Sequence, residues 1–349
     1  MKRHPTKSIK IGKIKVGGRA PISVQSMTKT DTRDAAATIN QIQELEEVGC
    51  EIIRVAVSDE KAAQKLEEIK NHTSIPLVAD IHFNHKLALM AIDAGIDGLR
   101  INPGNIGEKP KVAEVVKKAS TRSIPIRIGV NAGSLEKKLL KKYGYPTPQA
   151  LVESALRNIK LLESFDFDRI KVSLKASDVF STVKAYRLFA SRSHYPLHLG
   201  ITEAGPLLKG AIKSSLGMGI LLAEGIGDTI RVSLTAPPVE EVKVGYAILQ
   251  ALKLRSVGIE IISCPTCGRC EVNIEGIVKE LECRIAHLKK PLTIAVMGCV
   301  VNGPGEAREA DIGIAGGKKS GLLFKKGKPL GKVPAENLVD RLIEEINSY

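Results

Sequence analysis

The chain has 349 residues, with 52 Lys or Arg against 38 Asp or Glu and a formal net charge of +14, a length that fits two domains or one barrel with an appended domain. Aromatic residues make up 3% and Trp is absent, which argues against the stacking surfaces of single-stranded nucleic-acid binders, so we expect no nucleic-acid partner. Residues 1–18 lack an apolar segment and no stretch approaches the roughly 20 apolar residues of a membrane span, so we expect a cytoplasmic protein without a membrane partner.

Residues 20–252 alternate short β-branched runs with amphipathic helical runs. The first helical run shows clear helical periodicity, because Ile39, Ile42, Leu45 and Val48 share one face. Eight strand–helix units in about 230 residues are typical of a (β/α)8 or TIM barrel, with a doubly wound sheet as the alternative. The predicted strands are 22–27, 51–57, 76–80, 98–101, 124–130, 169–174, 196–201 and 229–234.

Five of these strands carry a basic residue between two aliphatic ones. A parallel barrel strand is buried on both faces, and an uncompensated buried ion costs several kcal/mol. The charges therefore need anionic partners, which we expect to be Asp80, Asp97 and Glu203 in part and a bound phosphate or diphosphate for the rest. A purely internal salt-bridge network is the alternative. The five residues are Arg54, Arg100, Arg127, Lys171 and Arg231.

Further polar residues follow the predicted strands, at the C-terminal strand ends where barrel enzymes place their chemistry. Asp80 and His82 follow the third strand. Glu203 follows the seventh, where a carboxylate beside basic residues can act as an acid or a base. Any one of the remaining polar residues could simply cap the next helix. Among them are Asn102, Asn131, Lys175 and Ser233.

The pattern changes at 253–258, which we expect to be a linker between a barrel over 1–252 and a second domain over 259–349. In this domain "IEIIS" and "PLTIAVMG" are predicted strands, and 273–288 is a predicted helix. A glycine-rich loop then leads to a third strand, and Pro334 starts the last helix. An α/β domain of this size usually needs additional stabilisation, such as a metal.

Three cysteines stand at three-residue steps in "CPTCGRC", namely Cys264, Cys267 and Cys270. A tetrahedral zinc or an iron–sulfur cluster normally takes four ligands, and Cys299, after the next strand, is the fourth candidate. The second C-x2-C pair of a zinc ribbon is missing, so spacing favours a cluster over zinc. The competing interpretation is a non-enzymatic, zinc-containing barrel protein that binds an RNA backbone. It would explain the net charge but not the basic residues inside strands.

Six segments together resemble the 4-hydroxy-3-methylbut-2-enyl diphosphate synthases, the IspG/GcpE family. They are "SVQSMT" (23–28), "IKVSLKASD" (170–178), "HLGITEAG" (198–205), "EGIGDTIRVSL" (224–234), "CPTCGRC" (264–270) and "GCVVNGPGEA" (298–307). The resemblance implies a TIM barrel followed by a small α/β iron–sulfur domain. It also implies the reductive ring opening and dehydroxylation of 2-C-methyl-D-erythritol 2,4-cyclodiphosphate in the non-mevalonate (MEP) isoprenoid pathway.

The resemblance further implies roles for particular residues. A [4Fe–4S] cluster would be held by Cys264, Cys267, Cys299 and Glu306, which excludes Cys270 from the set that spacing suggests. Glu203 would donate a proton, supported by Asp80 and His82, with Asn302 beside the cluster. The cyclic diphosphate would be bound by Arg54, Arg100, Asn102, Arg127, Asn131, Lys175, Arg231 and Ser233.

The implied partners are an electron donor and a second copy of the chain. Flavodoxin or ferredoxin would supply electrons, and a head-to-tail homodimer would build each active site from two subunits. A lysine-rich stretch near the C-terminus could attract such an acidic donor, or it could be a solvated loop. Its members are Lys318, Lys319, Lys325, Lys326 and Lys328.

Overall fold

The structure is a computed structural model that describes residues 2–102, 104, 106–285, 288, 290–299 and 303–349. These residues form two compact units, one ending at Arg255 and the other running from Ser256 to Tyr349. The division lies within the segment 253–258 that we predicted as a linker. None of the helices in the described ranges combines the length and apolar character that crossing a bilayer requires.

The first unit begins with a hairpin of β1 (Ile9–Ile11) and β2 (Ile14–Val16) and continues into eight parallel strands. These are β3 (Ser23–Met27), β4 (Ile52–Val57), β5 (Leu77–Ile81), β6 (Gly98–Ile101), β7 (Ile126–Asn131), β8 (Ile170–Lys175), β9 (His198–Leu199) and β10 (Thr229–Ile230). Their spatial order is β8-β7-β6-β5-β4-β3-β10-β9, and a parallel bridge between Val172 and Leu197 joins the two ends. The predicted TIM barrel is confirmed.

Helices follow every strand, and side-chain caps start several of them. They are α1 (Ala35–Glu47), α2 (Glu60–Gln64), α3 (Leu66–Asn71), α4 (His85–Asp93), α5 (Lys109–Thr121), α6 (Lys137–Tyr143), α7 (Pro148–Glu163), α8 (Val179–Ala190), α9 (Leu207–Ala223) and α10 (Pro238–Ala251). The Asp34 carboxylate accepts from the N–H of Ala37 at the start of α1, and Asp178 accepts from Ser181 at the start of α8. These capping residues therefore fix where the chain leaves the loops before α1 and α8.

The β1–β2 hairpin covers the N-terminal end of the barrel. Ile9, Ile11 and Val16 are buried and pack against Ile52 of β4 and Val78 of β5. The hairpin therefore closes this end of the barrel with apolar side chains, and the polar strand ends face the opposite, open end.

The second unit is a five-stranded sheet in the order β11-β12-β13-β14-β15, covered by helices on both faces. Its elements are β11 (Ile259–Ser263), α11 (Ile274–Ile285), β12 (Leu292–Met297), α12 (Gly303–Glu309), β13 (Ile312–Ala315), β14 (Ser320–Lys325), β15 (Lys328–Pro334) and α13 (Leu338–Asn347). The first three strands are parallel and the last two antiparallel. Helices α11 and α13 share the larger apolar core, whereas α12 packs with a smaller cluster around Ala295, Ala307 and Phe324.

Three features of this unit differ from the sequence prediction. The last helix, α13, begins at Leu338 and not at Pro334, which is the last residue of β15. The lysine-rich stretch forms the β14–β15 hairpin, whose turn has positive φ at Lys326 (49°) and Gly327 (76°). This turn geometry matches the twist of antiparallel strands. The segment from Gly303 is the helix α12, where we had expected a loop.

Candidate functional site

A cavity of about 120 Å³ lies at the C-terminal ends of the barrel strands. We call it the barrel cavity. It brings together the barrel residues predicted for catalysis and substrate binding, apart from Asn102 and Glu203, and it adds Ser173 and Thr202. Its lining consists of Arg54, Asp80, His82, Arg100, Arg127, Asn131, Ser173, Lys175, Thr202, Arg231 and Ser233.

Asp80 is the carboxylate that lines the barrel cavity, and three basic side chains surround it. Its Oδ1 lies 2.9 Å from Arg100 Nη1 and 3.3 Å from His82 Nε2, and its Oδ2 lies 3.5 Å from Arg54 Nε. Burial raises the pKa of Asp80, but Arg54, His82 and Arg100 outweigh it, so this pKa lies below its ordinary value. Asp80 is therefore ionised and orients the arginines around it.

Arg231 has a different counterion, which the sequence analysis missed. Its Nη2 lies 3.6 Å from Oε2 of Glu241, a residue of α10 that is 2% exposed. The same carboxylate accepts from Ser26 Oγ and from the N–H of Leu234, and it lies 3.2 Å from Lys29 Nζ. The pair of glutamates in the first turn of the last barrel helix was the available signal for this partner.

Arg127 and Lys175 have no carboxylate partner among the described residues. Arg127 is 3% exposed, and its Nε and Nη1 are buried without a hydrogen-bond acceptor in that part of the chain. Burial, together with neighbouring arginines, holds the pKa of Lys175 well below its ordinary value. Buried polar groups normally have partners, so these two side chains indicate a site built for a bound anion.

Glycines in the strands create the space that these long side chains occupy. A Cβ on Gly129 would overlap the guanidinium of Arg100, and one on Gly200 would lie 2.7 Å from Lys175 Nζ. The glycines in "IRIGV" and "HLG" therefore leave the room that Arg100 and Lys175 need, although we read them only as strand residues.

Several predicted residues lie elsewhere. Glu203 is exposed with φ +54°, outside the lining of the barrel cavity, and the buried Asn102 accepts from the N–H of Gly104 in its own loop. Asp97 pairs with Lys70, so it is not a counterion for the strand arginines. Our expectation that Asp97 and Glu203 pair with the buried bases is wrong, because Glu241 and Asp80 take that role. Lys171 lies deeper in the barrel, outside this lining.

The second unit contains a cavity of about 320 Å³, which we call the thiol cavity. It lies at the C-terminal ends of β11 and β12 and gathers all four cysteines considered above, together with Glu306 from the first turn of α12. Asn302 falls outside the described residues. The cavity is lined by Ile262, Ser263, Cys264, Pro265, Cys267, Arg269, Cys270, Met297, Gly298, Cys299, Gly303 and Glu306.

The thiols differ in their surroundings. Cys264 and Cys270 crowd around Gly298, where an added Cβ would overlap the Cys270 sulfur and lie 3.3 Å from the Cys264 sulfur. The Cys270 thiol donates to the carbonyl oxygen of Val272 at 3.1 Å, whereas the sulfur of Cys264 accepts from the Gly298 N–H at 3.3 Å. The exposed Cys267 accepts from the N–H of Arg269, which lowers the pKa of its thiol and favours the thiolate.

This donor set fits an iron–sulfur cluster in its chemistry. Thiolates are the usual ligands of such clusters, and a carboxylate is a harder donor that iron also accepts. Within the described ranges, no three His, Cys, Asp or Glu side chains are placed to hold a single metal ion. The arrangement does not itself choose Glu306 over Cys270 as the fourth ligand, because both line the cavity.

The five C-terminal lysines do not form one patch. The backbone of Lys318 is linked to the wall of the thiol cavity, because its N–H donates to the Glu271 carboxylate, and the N–H of Glu271 donates to the carbonyl oxygen of Gly298. The β13–β14 register pairs Lys325 with Ile312, at the opposite end of the strands from Ala315. Lys325 is also ion-paired with Glu345 at 2.7 Å, so the interpretation of a single docking patch is wrong.

Comparison with known proteins covers both units. Residues 6–246 match the GcpE TIM-barrel domain, and residues 260–348 match the GcpE protein C-terminal domain. The chain is 61% identical over 341 residues to the 4-hydroxy-3-methylbut-2-en-1-yl diphosphate synthase (flavodoxin) of Geobacter sulfurreducens, covering 98% of this chain and 97% of that protein. It is 62% identical over 346 residues to the enzyme of the same name from Thermodesulfovibrio yellowstonii, covering 99% of each.

Among solved structures, the chain resembles dihydropteroate synthase of Yersinia pestis, with a TM-score of 0.52, 11% identity and coverage of 71% of this chain and 99% of that one. At this identity the likeness shows the barrel fold alone. The family matches extend over nearly the full length, and they include both the barrel cavity and the thiol cavity. The chain therefore belongs to the GcpE family.

Proposed function

We propose that this chain catalyses the reaction named for its relatives, the formation of 4-hydroxy-3-methylbut-2-enyl diphosphate from 2-C-methyl-D-erythritol 2,4-cyclodiphosphate. The conversion consumes two electrons and two protons and releases one water as the ring C–O bond and the hydroxyl are lost. The observation that carries the proposal is the pairing, in one chain, of an anion-binding barrel cavity with a thiol-lined cavity suited to a redox cluster.

The barrel cavity is the proposed site of the cyclic diphosphate. Arg127 and Lys175 lack counterions in the described chain and would bind phosphate oxygens through charge-assisted hydrogen bonds. Asp80 holds Arg54 and Arg100 in place through its two oxygens. Asn131, with its amide oxygen toward Arg100 Nη2 at 3.2 Å, supports the same arrangement. Arg231 and Ser233 complete the lining of the proposed site.

Proton delivery is assigned to Glu203, with His82 and Asp80 as supporting groups. Glu203 is exposed at the open end of the barrel, where it can exchange protons with water. His82 contacts both Asp80 and Arg100, so it can support proton transfer at the wall of the barrel cavity. Asn102 is the weakest member of the predicted binding set, because its side chain is engaged in its own loop.

The thiol cavity is the proposed cluster site. Cys264, Cys267, Cys299 and Glu306 would hold a [4Fe–4S] cluster, with Asn302 near it, and Cys270 would remain outside the ligand set. When bound, the cluster supplies the electrons for the reduction. The Arg269 N–H that favours the Cys267 thiolate prepares that side chain for metal binding.

The proposed partners are a donor protein and a second subunit. The relatives are named as flavodoxin-dependent enzymes, which supports flavodoxin over ferredoxin as the electron donor for this chain. We also propose a cytoplasmic homodimer in which the barrel cavity and the thiol cavity of different subunits share one active site.

The test is turnover by anaerobically purified protein with a reconstituted cluster. The cyclic diphosphate and a small artificial reductant are added, and the product is identified by mass spectrometry. The proposal expects 4-hydroxy-3-methylbut-2-enyl diphosphate, and a matched sample without reductant is the control. Purified protein that contains stoichiometric zinc, no iron or sulfide and no activity would favour the non-enzymatic alternative.

A further inference from the structure

Cys270 is the thiol of the "CPTCGRC" segment that the proposed cluster does not use. It is half-buried, as is Cys264, and both pack against the apolar core that α11 and α13 share. Cys267 is exposed. The three thiols of this segment therefore divide into a pair packed on the core, Cys264 with Cys270, and an exposed third member.

Gly298 is the residue around which the two core-packed sulfurs converge. A Cβ added to Gly298 would overlap the Cys270 sulfur and would lie 3.3 Å from the Cys264 sulfur. Both distances start from the same point, so the two sulfurs are no farther apart than the sum of the two. The other atom close to this point is Cγ1 of Ile274 at 3.0 Å, and not the sulfur of Cys267.

The backbone holds both cysteines in place from the same glycine. The Gly298 N–H donates to the Cys264 sulfur at 3.3 Å, and the Gly298 carbonyl oxygen accepts from the N–H of Glu271, the residue after Cys270, at 2.8 Å. The Cys270 N–H donates to the carbonyl oxygen of Cys267 at 2.8 Å, which turns the segment back on itself. A disulfide forms without strain only where two cysteine side chains already face each other at short range, and this pair meets that condition.

We propose that Cys264 and Cys270 form a reversible disulfide when the chain carries no cluster. The oxidant is a low-molecular-weight disulfide, which reacts by thiol–disulfide exchange. Two electrons pass from the two protein thiols to the S–S bond of the oxidant. That bond breaks as the bond between Cys264 and Cys270 forms, and two small thiols leave with the two protons.

The disulfide keeps a ligand of the proposed cluster in a recoverable form. Cys264 cannot bind iron while it is bonded to Cys270, so the cluster is loaded only after a thiol reductant has opened the pair. A disulfide is reduced back to two thiols, whereas a sulfonic acid is not. This consequence rests on the proposed function, because it takes Cys264 as a cluster ligand. The formation of the disulfide does not.

Peptide mapping of the full chain without a cluster tests the proposal. The protein is equilibrated with glutathione and glutathione disulfide, alkylated, and digested with trypsin without reduction. Cleavage after Arg269 separates Cys270, in residues 270–279, from Cys264 and Cys267, in residues 256–269. The two peptides should be found joined, with fragmentation assigning the link to Cys264, and dithiothreitol should release them.

Three variants make the assignment decisive. Cys267→Ser should keep the joined peptides and Cys264→Ser should lose them. Cys283→Ser, at an exposed cysteine of α11, is the matched control and should behave like the wild type. Fragmentation of the wild-type peptides identifies the pair even where a variant does not fold.

Three results would overturn the proposal. They are a disulfide within residues 256–269, a link between Cys267 and Cys270, and the absence of joined peptides under oxidising conditions. The mapping needs neither a cluster nor turnover, so a failure of the proposed reaction is distinguishable from a failure of this inference.

Discussion

Lys175 is expected to bind substrate at the expense of stability, and Lys175→Met separates these two effects. Lys175 is 5% exposed, and no carboxylate among the described residues pairs with its ammonium. Replacing an unpaired buried charge with an apolar side chain of similar size should leave the fold unchanged or stabilise it by about 1–4 kcal/mol. Loss of one charge-assisted contact should weaken inorganic diphosphate binding roughly 10- to 100-fold.

The pH dependence of the free energy of unfolding tests the burial of the Lys175 charge independently. Because burial and the neighbouring arginines lower the pKa of Lys175, the unfolded chain binds more protons than the folded chain up to the ordinary value of 10.5. This residue therefore makes wild-type stability rise with pH across the range between the lowered pKa and 10.5. The stability advantage of Lys175→Met should be largest at low pH within that range and shrink as the pH approaches 10.5.

The assays are urea unfolding across pH and calorimetric titration with inorganic diphosphate. Arg100→Met is the matched control for stability, because Arg100 is paired with Asp80 at 2.9 Å. Breaking this pair should lower the free energy of unfolding by about 3 kcal/mol. This value is at the lower end of the usual range, because Asp80 retains its contacts with Arg54 and His82. Lys175→Met as unstable as Arg100→Met, with unchanged diphosphate affinity, would refute the assignment of Lys175 to substrate binding.

Three further predictions concern the cluster, the proton and the donor. Cys270→Ser should retain iron and sulfide while Cys264→Ser loses both, and equal iron loss in the two would restore the four-thiolate set. Glu203→Gln should lower kcat at least about 100-fold. It should not change the affinity for inorganic diphosphate, because Glu203 lies outside the lining of the barrel cavity. A weakened affinity would instead assign Glu203 to substrate binding. Charge reversal at Lys318 should slow turnover with flavodoxin but not with an uncharged reductant, whereas reversal at Lys326 should affect neither; equal effects of the two reversals would return the docking surface to the whole lysine-rich stretch.

The sequence anticipated the barrel and much of its cavity because both follow from local pattern. The strand periodicity places Arg54, Arg100 and Arg127 on buried strands, and the parallel arrangement brings the strand ends together. The partner of Arg231 could not be found in this way. Glu241 reaches Arg231 only through the packing of α10, which no strand pattern describes. The exposure of Glu203 depends on a loop backbone with positive φ.

In the second unit, too, the sequence predicted what local pattern determines and missed what the packing of the strands determines. The cysteine spacing anticipated a shared cavity for Cys264, Cys267 and Cys299, because parallel strands end at the same edge. The lysine-rich stretch was misjudged, because its charge suggested a solvated surface rather than a β-hairpin. The antiparallel register then separates Lys318 from Lys325, which proximity in sequence could not reveal.

Counting electrons against product in the anaerobic reaction tests whether this chain carries out the proposed reductive ring opening. Oxidation of a coloured artificial reductant is followed optically while phosphorus NMR follows the cyclic diphosphate and the product in the same sample. Two electrons should be consumed for each 4-hydroxy-3-methylbut-2-enyl diphosphate formed, and Cys264→Ser should form no product. Product formed without electron consumption, or reductant oxidised with the cyclic diphosphate intact in iron-loaded protein, would contradict the proposed reaction.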